Sequence, residues 1–313
     1  MKSKYKFIAS IFAASCLWVQ ASTVSANINV FSCEPSWQAL AQELGGDKVT
    51  TFSATNGMQD PHHIQARPSL IAKMRNADLL VCSGADLEVG WLPLLVRRAG
   101  NAKLTIGKPG YFFAANYVKL LDIPKVIDRS QGDVHAAGNP HIQTNPKNIA
   151  LVAKAMVERM KIIDPDNANF YQDRADKFLT RWKKALRKWK KQARQLKGIR
   201  IIVQHKSWAY LMDFGRFNEV ATIEDKPGIP PTSGHLVDLV KTFKNNPADI
   251  IIHAGYQSKK ASQWLSQRTG IPSVTLPFTI GGTDKATDLF SLFDNTFDLL
   301  TNTLKNNNNK DKQ

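Results

Sequence analysis

A chain of 313 residues can bury more than one core, so length favours one large or two medium domains. Three cysteines exclude a cysteine-rich zinc cage, and a single apolar run near the start is the only stretch resembling a membrane segment. The formal net charge of +16 is large, and most of it falls on one segment.

Lys2, Lys4 and Lys6 precede the apolar run at 7–19, and Val24-Ser25-Ala26 offers small residues for a signal peptidase. Residues 1–26 therefore read as a secretory signal that delivers a chain beginning at Asn27 to the periplasm. The run is short of the roughly 20 residues that span a bilayer, which argues against a permanent anchor. Cys16 invites a lipoprotein reading, but Ala13-Ala14-Ser15 before it lacks the expected aliphatic residue. Export leaves Cys33 and Cys82, each at the end of an apolar strand-like segment, either as a disulfide or as two buried thiols; both readings stand.

The first half alternates strands at 28–32, 49–53 and 79–82 with helices at 37–44, 68–76 and 91–98. Within it lie two similar phrases, Asp60-Pro61-His62-His63-Ile64-Gln65-Ala66-Arg67-Pro68 and Gly138-Asn139-Pro140-His141-Ile142-Gln143-Thr144-Asn145-Pro146. In each, a proline stiffens the backbone just before an imidazole, and a second proline ends the loop and can open a helix. Neutral imidazole is the commonest protein ligand for zinc, and a ligand on a rigid turn loses little entropy on binding. A lone Pro-His pair would read as a surface loop; two copies point to a metal site. His135 lies close to His141 in sequence, and as a lone loop histidine it reads as solvated or as an aid to capture.

A long helical pattern follows, with Tyr171, Ala175, Phe178, Trp182, Leu186, Trp189, Ala193 and Leu196 on one stripe. Between Tyr171 and Arg200 stand twelve Lys or Arg and two Asp, a net of +10 against +13 for the chain without its three N-terminal lysines. Because the tryptophans share the leucine and alanine stripe, the pattern reads as a core-packed helix bridging two lobes with a solvated basic face. Weak contact with an acidic membrane surface is a secondary expectation; a secreted chain argues against nucleic acid.

The second half repeats the alternation, with strands at 199–203, 219–223 and 249–252 and helices at 207–213, 235–243 and 258–269. Near-continuous apolar stretches such as Ile250-Ile251-Ile252 fit parallel strands covered on both faces. The expected fold is thus α/β: two lobes, each a mainly parallel sheet flanked by helices, at 27–163 and 199–304, joined by one bridging helix at 164–198. Residues 305–313 form a polar tail expected to be disordered. His205 directly follows a strand, at the carboxyl end where open α/β sheets bind ligands. His253 also ends a strand and takes a structural role in this reading.

The order of features (signal, Pro-His then Pro-Ser, Asn-Pro-His then Asn-Pro, long helix, strand-His) resembles the zinc and manganese solute-binding proteins of bacterial metal ABC importers, over essentially the whole mature chain. The resemblance implies two lobes on a rigid helix with the metal between them, ligands His62, His141 and His205, and a membrane permease as partner of a monomeric receptor. Where such proteins carry an acidic residue in an Asp-Pro-Leu-Gly phrase, this chain has Pro277-Phe278-Thr279-Ile280-Gly281-Gly282-Thr283-Asp284. Asp284, after the Gly281-Gly282 pair, is the expected fourth ligand or a helix cap; Asp60, His63 and water are the other candidates.

Three imidazoles with one oxygen suit zinc, whereas manganese prefers more oxygen ligands. The sequence-based expectation is a periplasmic zinc receptor without enzymatic activity. Two other readings are a secreted zinc hydrolase, with Glu224 or Asp225 as general base, and a receptor for haem or an iron chelate on a similar scaffold.

Overall fold

The computed structural model describes residues 27–126, 130 and 132–310, with side chains of the last helix to residue 307; the signal-peptide reading of 1–26 lies outside them. The first lobe runs β1 (Ile28–Ser32), α1 (Pro35–Gly45), β2 (Val49–Ser53), α2 (Pro68–Arg75), β3 (Leu79–Cys82), α3 (Leu92–Ala99), β4 (Tyr111–Phe113) and α4 (Pro146–Ile163). After α5 (Ala168–Gln195), the second runs β5 (Arg200–Val203), α6 (Ala209–Gly215), β6 (Asn218–Thr222), α7 (Ser233–Asn245), β7 (Ile250–Ala254), α8 (Lys260–Thr269), β8 (Ser273–Leu276) and α9 (Leu289–Lys310).

Each lobe holds a four-stranded, all-parallel sheet, and the strand orders match: β2-β1-β3-β4 and β6-β5-β7-β8. β3 and β7 are buried at every position, as strands covered on both faces must be. Parallel strands all end on the same edge, so the loops leaving β2, β4, β5 and β6 gather where the candidate ligands lie. Cys33, one residue past β1, and Cys82, the end of the neighbouring β3, are bridged, which resolves the two cysteine readings in favour of a disulfide. Pro68 and Pro146 stand at the first turns of α2 and α4, where a missing N–H costs nothing.

The bridging helix occupies Ala168–Gln195 inside the expected 164–198, with Pro165–Asn167 forming a 3-10 turn before it. Tyr171, Ala175, Phe178, Trp182, Trp189 and Ala193 are buried. The Trp182 indole donates to the Pro146 carbonyl at 2.7 Å, tying α5 to the first lobe. The Trp189 indole donates to Asp294 at 2.6 Å and its ring meets Phe293 at 5.1 Å, tying it to the second. One buried cluster consequently runs through both lobes, while two smaller ones lie under α2 and α3 and under α7 and α8.

The structure departs from the sequence reading in several places. β4 and β8, short strands at corresponding edges of the two sheets, both escape it. The expected tail at 305–313 is helical as far as Lys310, because Leu300 and partly buried Leu304 keep α9's apolar stripe against the core; 311–313 lie outside the described residues.

Candidate metal centre

The two Pro-His phrases fold identically at the atoms that matter. Asp60 Oδ1 accepts from the His62 backbone N–H at 3.0 Å and lies 2.7 Å from His62 Nδ1. Asn139 Oδ1 accepts from the His141 backbone N–H at 3.1 Å and lies 2.8 Å from His141 Nδ1. An oxygen two residues upstream thus fixes both backbone and ring, the intervening proline holding the turn. Because an amide oxygen only accepts, the Asn139 contact assigns the His141 proton to Nδ1 and leaves the Nε2 lone pair free. His205 is oriented in the same way from farther along the chain, with Nδ1 2.7 Å from Glu224 Oε2.

His62, His141 and His205 are 7%, 1% and 5% exposed, and their rings lie 5.4 to 5.6 Å apart. The structure brings these three candidate ligands together and places a fourth histidine beside them. His135 stacks on His62 at 5.4 Å and meets His141 edge-on at 5.9 Å. The ligand nitrogens of His62, His135 and His141 lie within 4.8 Å of one another. Nε2 of each of these three is buried with no hydrogen-bond partner. Three buried ring nitrogens this close together and without partners cost free energy unless a hydrogen-bonding group or a cation joins them.

Burial, followed by the neighbouring imidazoles His62 and His205, pushes His135 down to about 4; the same causes, with His135 added, push His141 well below the usual histidine range. Both rings are therefore neutral and able to ligate at neutral pH. Burial alone would raise the Asp60 carboxyl, but the hydrogen bond and charge of His62 outweigh it and the acid ends below its ordinary value. The Phe278 ring backs His141 at 5.5 Å and supplies an apolar wall.

Asp284 is not brought to the cluster. It is exposed, and the Gly281-Gly282 pair before it is no swinging arm: a side chain added at Gly57 would come within 2.1 Å of Gly281, and one at Gly255 within 2.2 Å of Gly282. The Gly281 amide also donates to the Ala286 carbonyl at 2.7 Å, closing the turn that carries Asp284 away. Among the other fourth-position candidates, Asp60 turns Oδ1 to His62. His63 is 64% exposed and faces Asp133 at 3.6 Å. Glu224, weighed as a general base, holds His205 and accepts from the Gly228 N–H at 2.8 Å with the same oxygen. His253 is a satisfied core residue, with Ser262 at 3.1 Å and Thr275 at 2.7 Å on its two nitrogens.

His135 reaches the cluster because its loop is pinned to the opposite lobe. The Asp133 N–H donates to the Pro227 carbonyl at 2.9 Å, and Gly132, at φ +90°, approaches that carbonyl so closely that a Cβ would sit 2.1 Å from it. That contact spans about a hundred residues and leaves no local sequence signal.

Among known proteins, the family model described as "Zinc-uptake complex component A periplasmic" matches residues 30–303. The manganese ABC transporter substrate-binding lipoprotein PsaA of Streptococcus pneumoniae serotype 4 is 25% identical over 173 residues, 55% of this chain and 54% of that protein. The chain thus spans about half the length of the curated relatives it matches first. The iron ABC transporter substrate-binding lipoprotein MtsA of Streptococcus pyogenes serotype M1 is 22% identical over 77% of this chain and 76% of that protein. Among solved structures, ZnuA superposes with a TM-score of 0.74 at 22% identity, covering 88% of this chain and 99% of that one, a likeness of fold. These relatives are substrate-binding components of transporters, not enzymes. Among the described residues no helix is long and apolar enough to cross a membrane.

Proposed function

The chain belongs to the zinc-uptake complex component A family of metal ABC transporter substrate-binding proteins, and on that footing we propose that it is a periplasmic receptor for zinc, holding the ion on His62, His135, His141 and His205 for delivery to a membrane permease. Residues 27–163 and 199–304 are the two metal-binding lobes in this reading, with 164–198 bridging them. The observation that carries it is the set of orphaned Nε2 atoms on His62, His135 and His141, facing one another in a buried pocket.

Zinc is favoured over manganese or iron by the donor set. Imidazole nitrogens in fourfold array suit a tetrahedral d10 ion, whereas manganese favours carboxylate and water oxygens. The nearby carboxylates, Asp60 and Glu224, turn an oxygen to a histidine ring instead. Two nitrogens bound to one zinc at about 2.1 Å are roughly 3.4 Å apart. The first-lobe nitrogens, up to 4.8 Å apart, must draw together, and the His205 ring of the second lobe already lies 5.5 and 5.6 Å from those of His62 and His141, so binding calls for a contraction of the pocket rather than a wide hinge closure.

Calorimetric titration of the mature protein with zinc, manganese and iron(II) tests this directly. One tight zinc per chain, with manganese and iron much weaker, is expected. Equal or tighter manganese binding would remove zinc as the cargo, and no binding of any of the three would remove the receptor reading.

A further inference from the structure

The bridging helix carries more charge than bridging requires. Its buried stripe uses Tyr171, Phe178, Trp182 and Trp189, and its outward residues include Lys183, Lys184, Arg187, Lys190, Lys191 and Arg194, all exposed. From Lys177 to Arg194 the basic face extends about 26 Å at 1.5 Å per residue. No acidic residue occurs between Asp176 and Asp213. Among the described residues only Arg181 and Lys188 of this helix pair with a carboxylate, those of Glu43 and Asp294. Like charges at helical spacing of three and four repel, so the face destabilises the isolated helix. Such a face is retained at a cost, and its charge is available to something outside the chain.

We propose that this face of α5 docks on an anionic lipid surface. Its chemistry separates that partner from other polyanions. Tyr171, Phe178, Trp182 and Trp189 are buried, and half-buried Phe170 in the first turn lies under Lys48 and Arg174, so no ring stands among the outer lysines and arginines to stack on nucleic acid bases. It also lacks the aromatic anchors around which protein interfaces are built. A fluid headgroup layer asks only for a row of cations, each attracted to the anionic surface and screened by salt. No residue of α5 lines the histidine pocket, so a docked chain keeps its metal site unobstructed. The biological use of such docking rests on the receptor reading: a carrier whose permease lies in the bilayer finds it faster when held near that surface.

Cosedimentation of the mature protein with vesicles of equal parts phosphatidylcholine and phosphatidylglycerol, beside vesicles of phosphatidylcholine alone, tests the docking. Binding is expected to the mixed vesicles only, to vanish at high salt, and to weaken at least about thirtyfold when Lys183, Lys184, Lys190 and Lys191 are changed to Glu. The same four positions changed to Gln, a milder variant that keeps the helix, should lose binding by a smaller factor, with unchanged circular dichroism. Equal binding to neutral vesicles, or binding indifferent to both variants, overturns the proposal; tighter binding to duplex DNA at the same salt overturns its assignment to lipid. Zinc titration of the Gln variant separates the two readings: it should match the parent, and failure of zinc binding in both proteins would count against the receptor function without touching the vesicle result.

Discussion

At the scale of single residues, the site is a problem of aiming imidazoles. Asp60, Asn139 and Glu224 each fix one ring through Nδ1. Partners of this kind tune metal ligands strongly. Asp60→Ala, Asn139→Ala and Glu224→Ala should each weaken zinc binding about tenfold to a hundredfold in competition titrations with a chelator. Asn139→Asp, which keeps the acceptor oxygen, should retain most of the affinity; equal losses for Asn139→Ala and Asn139→Asp would contradict the aiming role. Much of this was legible in the sequence. The Pro-His phrases gave His62 and His141, and the strand end gave His205. The Asx residue two positions before each phrase histidine was equally visible, yet Asp60 read only as one alternative for the fourth ligand beside Asp284, His63 and water. His135 was underread and Asp284 overread for the same reason: a contact between distant segments decides each, Gly132 on Pro227 for one and Gly57 on Gly281 for the other.

At the scale of elements, α5 determines whether two lobes behave as one body. Trp182 is fully buried between α4 and α9, edge-on to Phe290 and Phe293. Trp182→Ala should cost about 3–5 kcal/mol, measured by denaturant unfolding, through lost contacts and the cavity left behind. Both lobes should melt earlier, since the cluster runs through both; earlier melting of one lobe alone would contradict a shared core. The central strands were legible because apolar runs such as Leu79-Leu80-Val81 and Ile250-Ile251-Ile252 are continuous and bounded by turns. The edge strands β4 and β8 were not, since three or four residues carry too little pattern, and the extent of α9 was masked by asparagines that favour coil in isolation but here follow a well-packed apolar stripe.

At the scale of the whole molecule, two buried acids should shape its pH response. Glu34 and Glu88 are 1% and 2% exposed, against the disulfide and the Ser83-Gly84 turn. Burial, with the charge of Glu88 alongside, pushes the Glu34 carboxyl well up; burial pushes Glu88 to about 7 from an ordinary 4.5. The folded chain then keeps protons that the unfolded chain releases, so the contribution of these carboxyls to stability is full below about 4.5 and is lost as pH rises toward about 7. Glu88→Gln should flatten that fall and raise the melting temperature above pH 7 relative to the parent. An unchanged pH profile would show that these carboxyls do not hold protons in the fold. The bridging helix also limits large motion. Scattering from metal-free and zinc-loaded protein should give nearly the same overall dimensions, and a large change would contradict the tight central core.

The most direct test is the zinc environment itself, read by X-ray absorption at the zinc edge on the loaded mature protein. Four nitrogen neighbours at about 2.0 Å with the outer-shell scattering of imidazole rings are expected. In His135→Ala one of these four should be replaced by an oxygen. A carboxylate oxygen already present in the parent, or a spectrum indifferent to His135→Ala, would contradict a four-histidine site.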